Sequence, residues 1–122
     1  MGSTQAADAG DTGWTDLCAL DDVATGQGLY VEHDDLGLAV LRPDAEVVRV
    51  LENRCPHAGG ALAAGAISDD CVICPWHGWA FELKSGRCPD APQIAVRTFR
   101  VRIAAGRVEA CLEGSHIYGN PG

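Results

Sequence analysis

The sequence has little of what a membrane-spanning, exported or helical protein needs. Its longest apolar run is far shorter than the ~18 residues that cross a bilayer. The first residues, MGSTQ, show no basic stretch followed by an apolar one, so no secretory signal is predicted. No segment keeps the period of an α-helix. We therefore expect a cytoplasmic protein without a membrane partner, built from strands.

Basic residues are also scarce. The 122-residue chain has nine Lys and Arg against seventeen Asp and Glu, a net charge of −8. This balance argues against nucleic acid and anionic membranes as partners, and it favours docking onto a basic protein surface. The length suits one domain.

What the chain does contain is a series of short apolar runs separated by Asp, Gly and Pro, each typical of a β-strand. They lie at 29–32, 36–41, 47–51, 72–73, 79–83, 99–103 and 108–112. Arg42-Pro43-Asp44 predicts a hairpin connection, and Ala58 to Ala66 a compact loop because it holds three glycines. Many short strands at even spacing predict an all-β antiparallel sandwich or barrel.

The two ends of the chain differ from its middle in pattern. Residues 1–13 and 114–122 show no periodicity and are expected to be tails. Residues 14–113 are expected to form one domain. Within it, residues 54–93 contain only the short runs at 72–73 and 79–83 and are expected to form an inserted subdomain of two loops.

Two short stretches in that subdomain each offer one cysteine and one histidine. They read CPH at 55–57 and, after sixteen further residues, CPWH at 74–77. Both continue into glycine, which lets the backbone turn tightly and approach a bound group. The pattern C-x-H…C-x-x-H resembles the Rieske iron–sulfur family, in which two histidines replace two cysteines on one iron of a [2Fe–2S] cluster.

The resemblance implies a ligand set. Cys55 and Cys74 would hold the inner iron as thiolates, and His57 and His77 the outer iron as neutral imidazoles. A proline-containing loop covers the cluster in that family, and the segment ending at Pro92 resembles it.

A zinc site made from the same four residues is the alternative. Structural zinc usually takes pairs spaced C-x₂₋₄-C and H-x₃₋₅-H. A single residue between Cys55 and His57 is awkward for that geometry, so we favour iron–sulfur. The other cysteines, Cys18, Cys71, Cys88 and Cys111, have no paired spacing and are expected to be small buried side chains.

The residues next to the ligands predict a low reduction potential. High-potential members of the resembled family carry an extra cysteine in each loop, but Gly60 and Trp76 stand at those positions. Those members also place serine and tyrosine hydroxyls near the cluster sulfurs, where this chain has Trp79 and Phe81. Rieske clusters span reduction potentials of about −150 to +300 mV. Without these donors, the potential of this chain should lie at the low end of that range.

The sequence predicts an electron carrier rather than an enzyme with its own catalytic residues. Only His33 and His116 remain outside the motif, too few for the two-histidine iron site of an oxygenase. No G-x-G-x-x-G fingerprint is present. The resemblance implies a ferredoxin that passes electrons from a flavoprotein reductase to a terminal oxygenase. Looser similarities, such as LCALDD at 17–22, suggest instead a small subunit bound to the large subunit of an NADH-dependent nitrite reductase.

Overall fold

A computed structural model describes residues 13–53, 61–75 and 78–117, with the backbone only for Pro92 and for residues 113–117. These residues form eleven strands and two 3-10 turns, Leu20–Asp22 and Leu62–Ala64, and contain no α-helix. The strands are β1 Trp14–Ala19, β2 Gln27–His33, β3 Leu36–Asp44, β4 Val47–Glu52, β5 Ala66–Ser68, β6 Cys71–Ile73, β7 Ala80–Glu82, β8 Arg87–Cys88, β9 Ala91–Ala95, β10 Arg97–Ala104 and β11 Arg107–Ile117. The prediction of an all-β antiparallel fold is confirmed.

The long strands form one antiparallel sheet in the order β1-β11-β10-β4-β3-β2. Its two edge strands, β1 and β2, also contact each other, so the sheet is curled. The short strands all lie between β4 and β10 in the chain. They form a three-stranded sheet, β5-β6-β7, and the hairpin β8-β9.

Two hydrophobic cores lie on opposite faces of β3 and β4. The sheet core lies inside the curled sheet and consists of Cys18, Val23, Leu38, Val40, Val48, Val50, Phe99, Val108 and Ala110. The insertion core joins the sheet to the short strands and consists of Ala39, Leu41, Leu51, Leu62, Val72, Cys74, Phe81, Leu83, Cys88 and Val96. Successive residues of β3 alternate between the cores, which explains why the run 38–41 is apolar throughout.

The β3–β4 connection differs from the sequence prediction. Strand β3 continues to Asp44, and the turn falls at Ala45 and Glu46. Arg42 is held in the strand because its guanidinium donates hydrogen bonds to the carbonyl oxygens of Leu20 at 3.1 Å and Val23 at 2.8 Å. A hairpin does connect β3 and β4, but its predicted position at 42–44 was wrong by a few residues. The Arg42 guanidinium also donates to the Ala45 carbonyl oxygen in the turn itself, at 2.6 Å.

Two smaller differences concern the last strand and the cysteines. Strand β11 runs to Ile117, beyond the predicted end at Leu112, because its final residues pair with the start of β10. Cys18 and Cys88 are buried as expected, but Cys71 and Cys111 are only partly buried. No helix within the described ranges is long and apolar enough to cross a bilayer.

Candidate metal centre

The second cysteine–histidine stretch begins at the end of a short hairpin. Strands β6 and β7 pair from Cys71↔Glu82 to Ile73↔Ala80. The amide of Cys74 donates to the Trp79 carbonyl oxygen at 2.7 Å, and the amide of Gly78 donates to the Cys74 carbonyl oxygen at 3.2 Å. Gly78 has φ +74°, a left-handed conformation that favours glycine. Cys74 thus lies at the base of a tight loop.

Cys74 is almost completely buried, with 1% of its surface exposed. It belongs to the insertion core beside Phe81, which is fully buried, and Trp79 packs against the same core. A thiol in apolar surroundings is inert unless a positive centre stabilises its thiolate. A buried cysteine at the base of a glycine-containing loop fits a thiolate ligand of a metal cluster.

The first stretch is framed by Asn53, which precedes it. The Asn53 side-chain oxygen accepts a hydrogen bond from the amide of Ala63 at 2.6 Å. The backbone amide of Asn53 donates a hydrogen bond to the Gly37 carbonyl oxygen at 2.9 Å. Asn53 therefore connects the end of β4, just before the first stretch, to the 3-10 turn that follows the stretch. Its backbone bond to Gly37 also ties this region to β3.

Close packing places the segment that follows the first stretch against the hairpin that leads into the second. Strand β5 follows the first stretch and pairs with β6 through Ala66↔Ile73. A Cβ added at Gly65 would overlap the carbonyl oxygen of Ile73, the residue before Cys74. Glycine at position 65 therefore allows the backbone after the 3-10 turn to lie directly against the residue that precedes Cys74.

The structure covers only part of the predicted site. Cys74, Trp79 and Phe81 are described, and they come together in or against the insertion core. Pro92 lies in β9, and its role as a cluster cover stays a prediction. The remaining predicted residues, Cys55, His57, Gly60, Trp76 and His77, lie outside the described residues.

Sequence reasoning overlooked Asn53 and Gly65 as supports of the site. Asparagine directly before a loop is a usable signal, because its side chain often bonds to nearby backbone amides. The role of Gly65 has no sequence signal, because it depends on contact with Ile73 of β6, which lies eight residues farther along the chain. Within the described ranges, no three His, Cys, Asp or Glu side chains form a group that could hold a metal ion.

Cys71 lies three residues before Cys74 on the same hairpin and is only partly buried. Burial raises the pKa of its thiol, and the carboxylates of Glu82 and Asp70 raise it further.

Comparison with known proteins identifies the family. The Rieske [2Fe-2S] domain matches residues 13–100. A cholesterol 7-desaturase from Hemicentrotus pulcherrimus is 36% identical over 81 residues, 66% of this chain and 17% of that protein. The chain therefore spans about a fifth of the length of such curated relatives.

Small solved structures match over nearly their whole length. One, described as a candidate NADH-dependent nitrite reductase small subunit from Mycobacterium tuberculosis, is 29% identical with a TM-score of 0.74, covering 85% of this chain and 95% of that one. A chain from a complex of reduced oxygenase and oxidised ferredoxin in carbazole 1,9a-dioxygenase is 27% identical with a TM-score of 0.72, covering 83% and 94%. These matches favour iron–sulfur over zinc. The chain belongs to the Rieske [2Fe–2S] domain family, and one Rieske-type cluster is its cofactor.

Proposed function

We propose that this chain is a one-electron carrier whose cluster is held by Cys55 and Cys74 on the inner iron and by His57 and His77 on the outer iron. The Rieske domain is an electron-transfer module, and the bound cluster would supply the one-electron chemistry. The observation that supports Cys74 as a ligand is its burial at the base of the β6–β7 loop. The other three ligands are proposed from the C-x-H…C-x-x-H pattern and the family match. In this proposal the chain has no catalytic residues of its own.

The partners we propose are a flavoprotein reductase and a terminal oxygenase, with the chain as the ferredoxin between them in the cytoplasm. Its similarity to a chain in an oxygenase–ferredoxin complex supports this role. The similarity to a candidate nitrite reductase small subunit supports the alternative, a subunit bound to a large reductase chain. Native purification distinguishes them, because a subunit would co-purify with its large partner and a ferredoxin would not.

A low potential is part of the proposal. Phe81 is fully buried in the same core as Cys74 and has no hydroxyl, and the Trp79 side chain, which packs against that core, has none either. Fewer donors near the cluster sulfurs disfavour the added electron. We therefore expect reduction at or below about −100 mV, towards the low end of the Rieske range.

Redox titration followed by EPR tests the proposal, with Phe81→Tyr as the informative variant. A hydrogen bond to a charged group is worth about 1.5–3 kcal/mol. At 59 mV per tenfold change for one electron, the tyrosine hydroxyl should raise the potential by about 65–130 mV. Phe99→Tyr, which adds the same hydroxyl to the sheet core, should leave it unchanged.

Three results would count against parts of this proposal. A rhombic EPR signal at clearly positive potential would remove the argument from Trp79 and Phe81 but keep the electron-carrier role. Equal shifts in Phe81→Tyr and Phe99→Tyr would show that the hydroxyl acts through general destabilisation. Wild-type iron content and spectrum after loss of any one of the four ligands would overturn the ligand assignment.

A further inference from the structure

A groove lies between β4 and β10, with a volume of about 540 Å³. Cationic side chains of Arg49, Lys84 and Arg100 line it together with apolar ones. Its apolar lining includes Val50, Leu83 and Phe99, all of them buried. We call this feature the cationic groove. None of its lining residues belongs to either cysteine–histidine stretch.

The groove exists because β4 and β10 stop pairing partway along their length. Their ladder contains only Thr98↔Leu51 and Phe99↔Val50. Beyond Phe99, strand β10 continues to pair with β11 on its other side, and the first residues of β4 pair only with β3. Two backbone edges therefore face the opening. Such an edge can accept an added extended segment through main-chain hydrogen bonds.

The charge of the groove is opposite to that of the chain. The chain has a net charge of −8, yet no Asp or Glu lines this groove, and Glu46 lies only in the cavity that adjoins it farther along the gap between β4 and β10. In the part of the chain that the structure describes, Arg49, Lys84 and Arg100 form no ion pair. The Arg100 guanidinium lies over the Trp14 ring at 5.5 Å, a cation–π contact that orients it without neutralising it.

We propose that the cationic groove binds an extended acidic segment of a partner protein. Its Asp or Glu side chains would pair with Arg49, Lys84 and Arg100, its alternating apolar side chains would lie on the groove floor, and its backbone would follow β10. A second copy of this chain fits less well, because two copies each carry eight negative charges in excess.

The test uses the full chain as isolated and a defined probe, the labelled peptide acetyl-(Glu-Val)₄-amide, with acetyl-(Lys-Val)₄-amide as its control. Fluorescence anisotropy should show saturable binding of the acidic peptide only, weakening as salt is added. Lys84→Glu/Arg100→Glu should reduce the affinity at low salt by at least about tenfold. Arg107→Glu, an equally exposed change on β11 away from the groove, should reduce it far less.

Several outcomes would overturn the inference. One is that the acidic peptide shows no saturable binding to the unmodified chain. Another is that Lys84→Glu/Arg100→Glu and Arg107→Glu bind the peptide with equal affinity although circular dichroism shows that both are folded. Sedimentation showing a dimer that Lys84→Glu/Arg100→Glu dissolves would identify a second copy as the occupant. If the peptide binds only after the acidic residues near the N-terminus are neutralised in Asp8→Asn/Asp11→Asn, the occupant of the groove is the chain's own N-terminal stretch. Peptide binding does not depend on electron transfer, so its failure would leave the proposed function intact.

Discussion

The sheet core and the insertion core are built on different principles, although they share β3 and β4. The sheet core lies among strands of six to eleven residues whose ladders have five to seven pairs, apart from the two pairs between β4 and β10. The insertion core is enclosed by strands of two to five residues, with ladders of at most three pairs. Backbone pairing therefore holds the first, and side-chain and glycine packing holds the second.

This difference places stability and function in separate regions. The long ladders form a rigid platform, and we expect the sheet to fold without a bound cofactor. The insertion core contains Cys74, and its short strands leave most of the connecting backbone free to form loops around a bound group. A site assembled on such short elements is more sensitive to small packing changes than the sheet below it. Four predictions test this division.

The largest effect is expected from Cys74→Ser, because the variant removes a proposed thiolate ligand. Visible absorbance and bound iron should fall to background. Cys71→Ser is the matched control, since Cys71 lies three residues earlier on the same hairpin, and it should keep both. Iron content and absorbance measure the result, and a Cys74→Ser protein with its full iron content would refute the prediction.

Leu38→Ala and Leu41→Ala compare the cores directly. Both leucines are fully buried on β3, one in each core. Each change should cost about 2–5 kcal/mol of unfolding free energy, because it leaves a cavity. In Leu41→Ala alone, the cluster should bleach at a lower temperature than the sheet unfolds. Absorbance and far-ultraviolet circular dichroism, followed in parallel, measure the two transitions, and coincident transitions in both variants would contradict the division.

Gly86→Ala and Gly106→Ala separate backbone strain from crowding. Both glycines have positive φ, +78° and +77°. A Cβ at Gly86 would overlap the Val96 carbonyl oxygen, whereas nothing lies near one at Gly106. Gly106→Ala should cost about 1–2 kcal/mol from the left-handed conformation. Gly86→Ala should cost a further 1–3 kcal/mol, roughly, from overpacking. Denaturant titration measures the unfolding free energy of both variants, and equal losses in the two would contradict this prediction.

The smallest effect is expected at the exposed ion pair between Asp16 of β1 and Arg107 of β11, 2.7 Å apart. The Arg107 hydrogen bond lowers the pKa of Asp16 below its ordinary value of 3.8. The pair's contribution is therefore present above that pH and is lost as the pH falls through the lowered pKa.

Asp16→Asn should accordingly lower the melting temperature slightly at pH 7 and not at all at strongly acid pH. Glu32→Gln, an exposed change on the opposite edge strand β2, is the control. A large destabilisation by Asp16→Asn, comparable with that of Leu38→Ala, would show that this sheet edge needs more than its backbone ladder.

The sequence alone determined the all-β class, most strand positions and the cysteine–histidine pattern that carried the family. Those features are local: alternation follows from the two-residue period of a strand, and the motif places its residues a few positions apart. Phe81 and Trp79 could be named as neighbours of the site because they follow the second stretch directly.

Tertiary structure decided what depends on residues far apart in the chain. Arg42 extends β3 by bonding to carbonyl oxygens some twenty residues earlier. Gly65 is required by a carbonyl on β6, and the cationic groove arises where β4 and β10 separate. The net charge of −8 gave no hint of that groove. Composition averages over the whole chain, and only folding decides which charges share a surface.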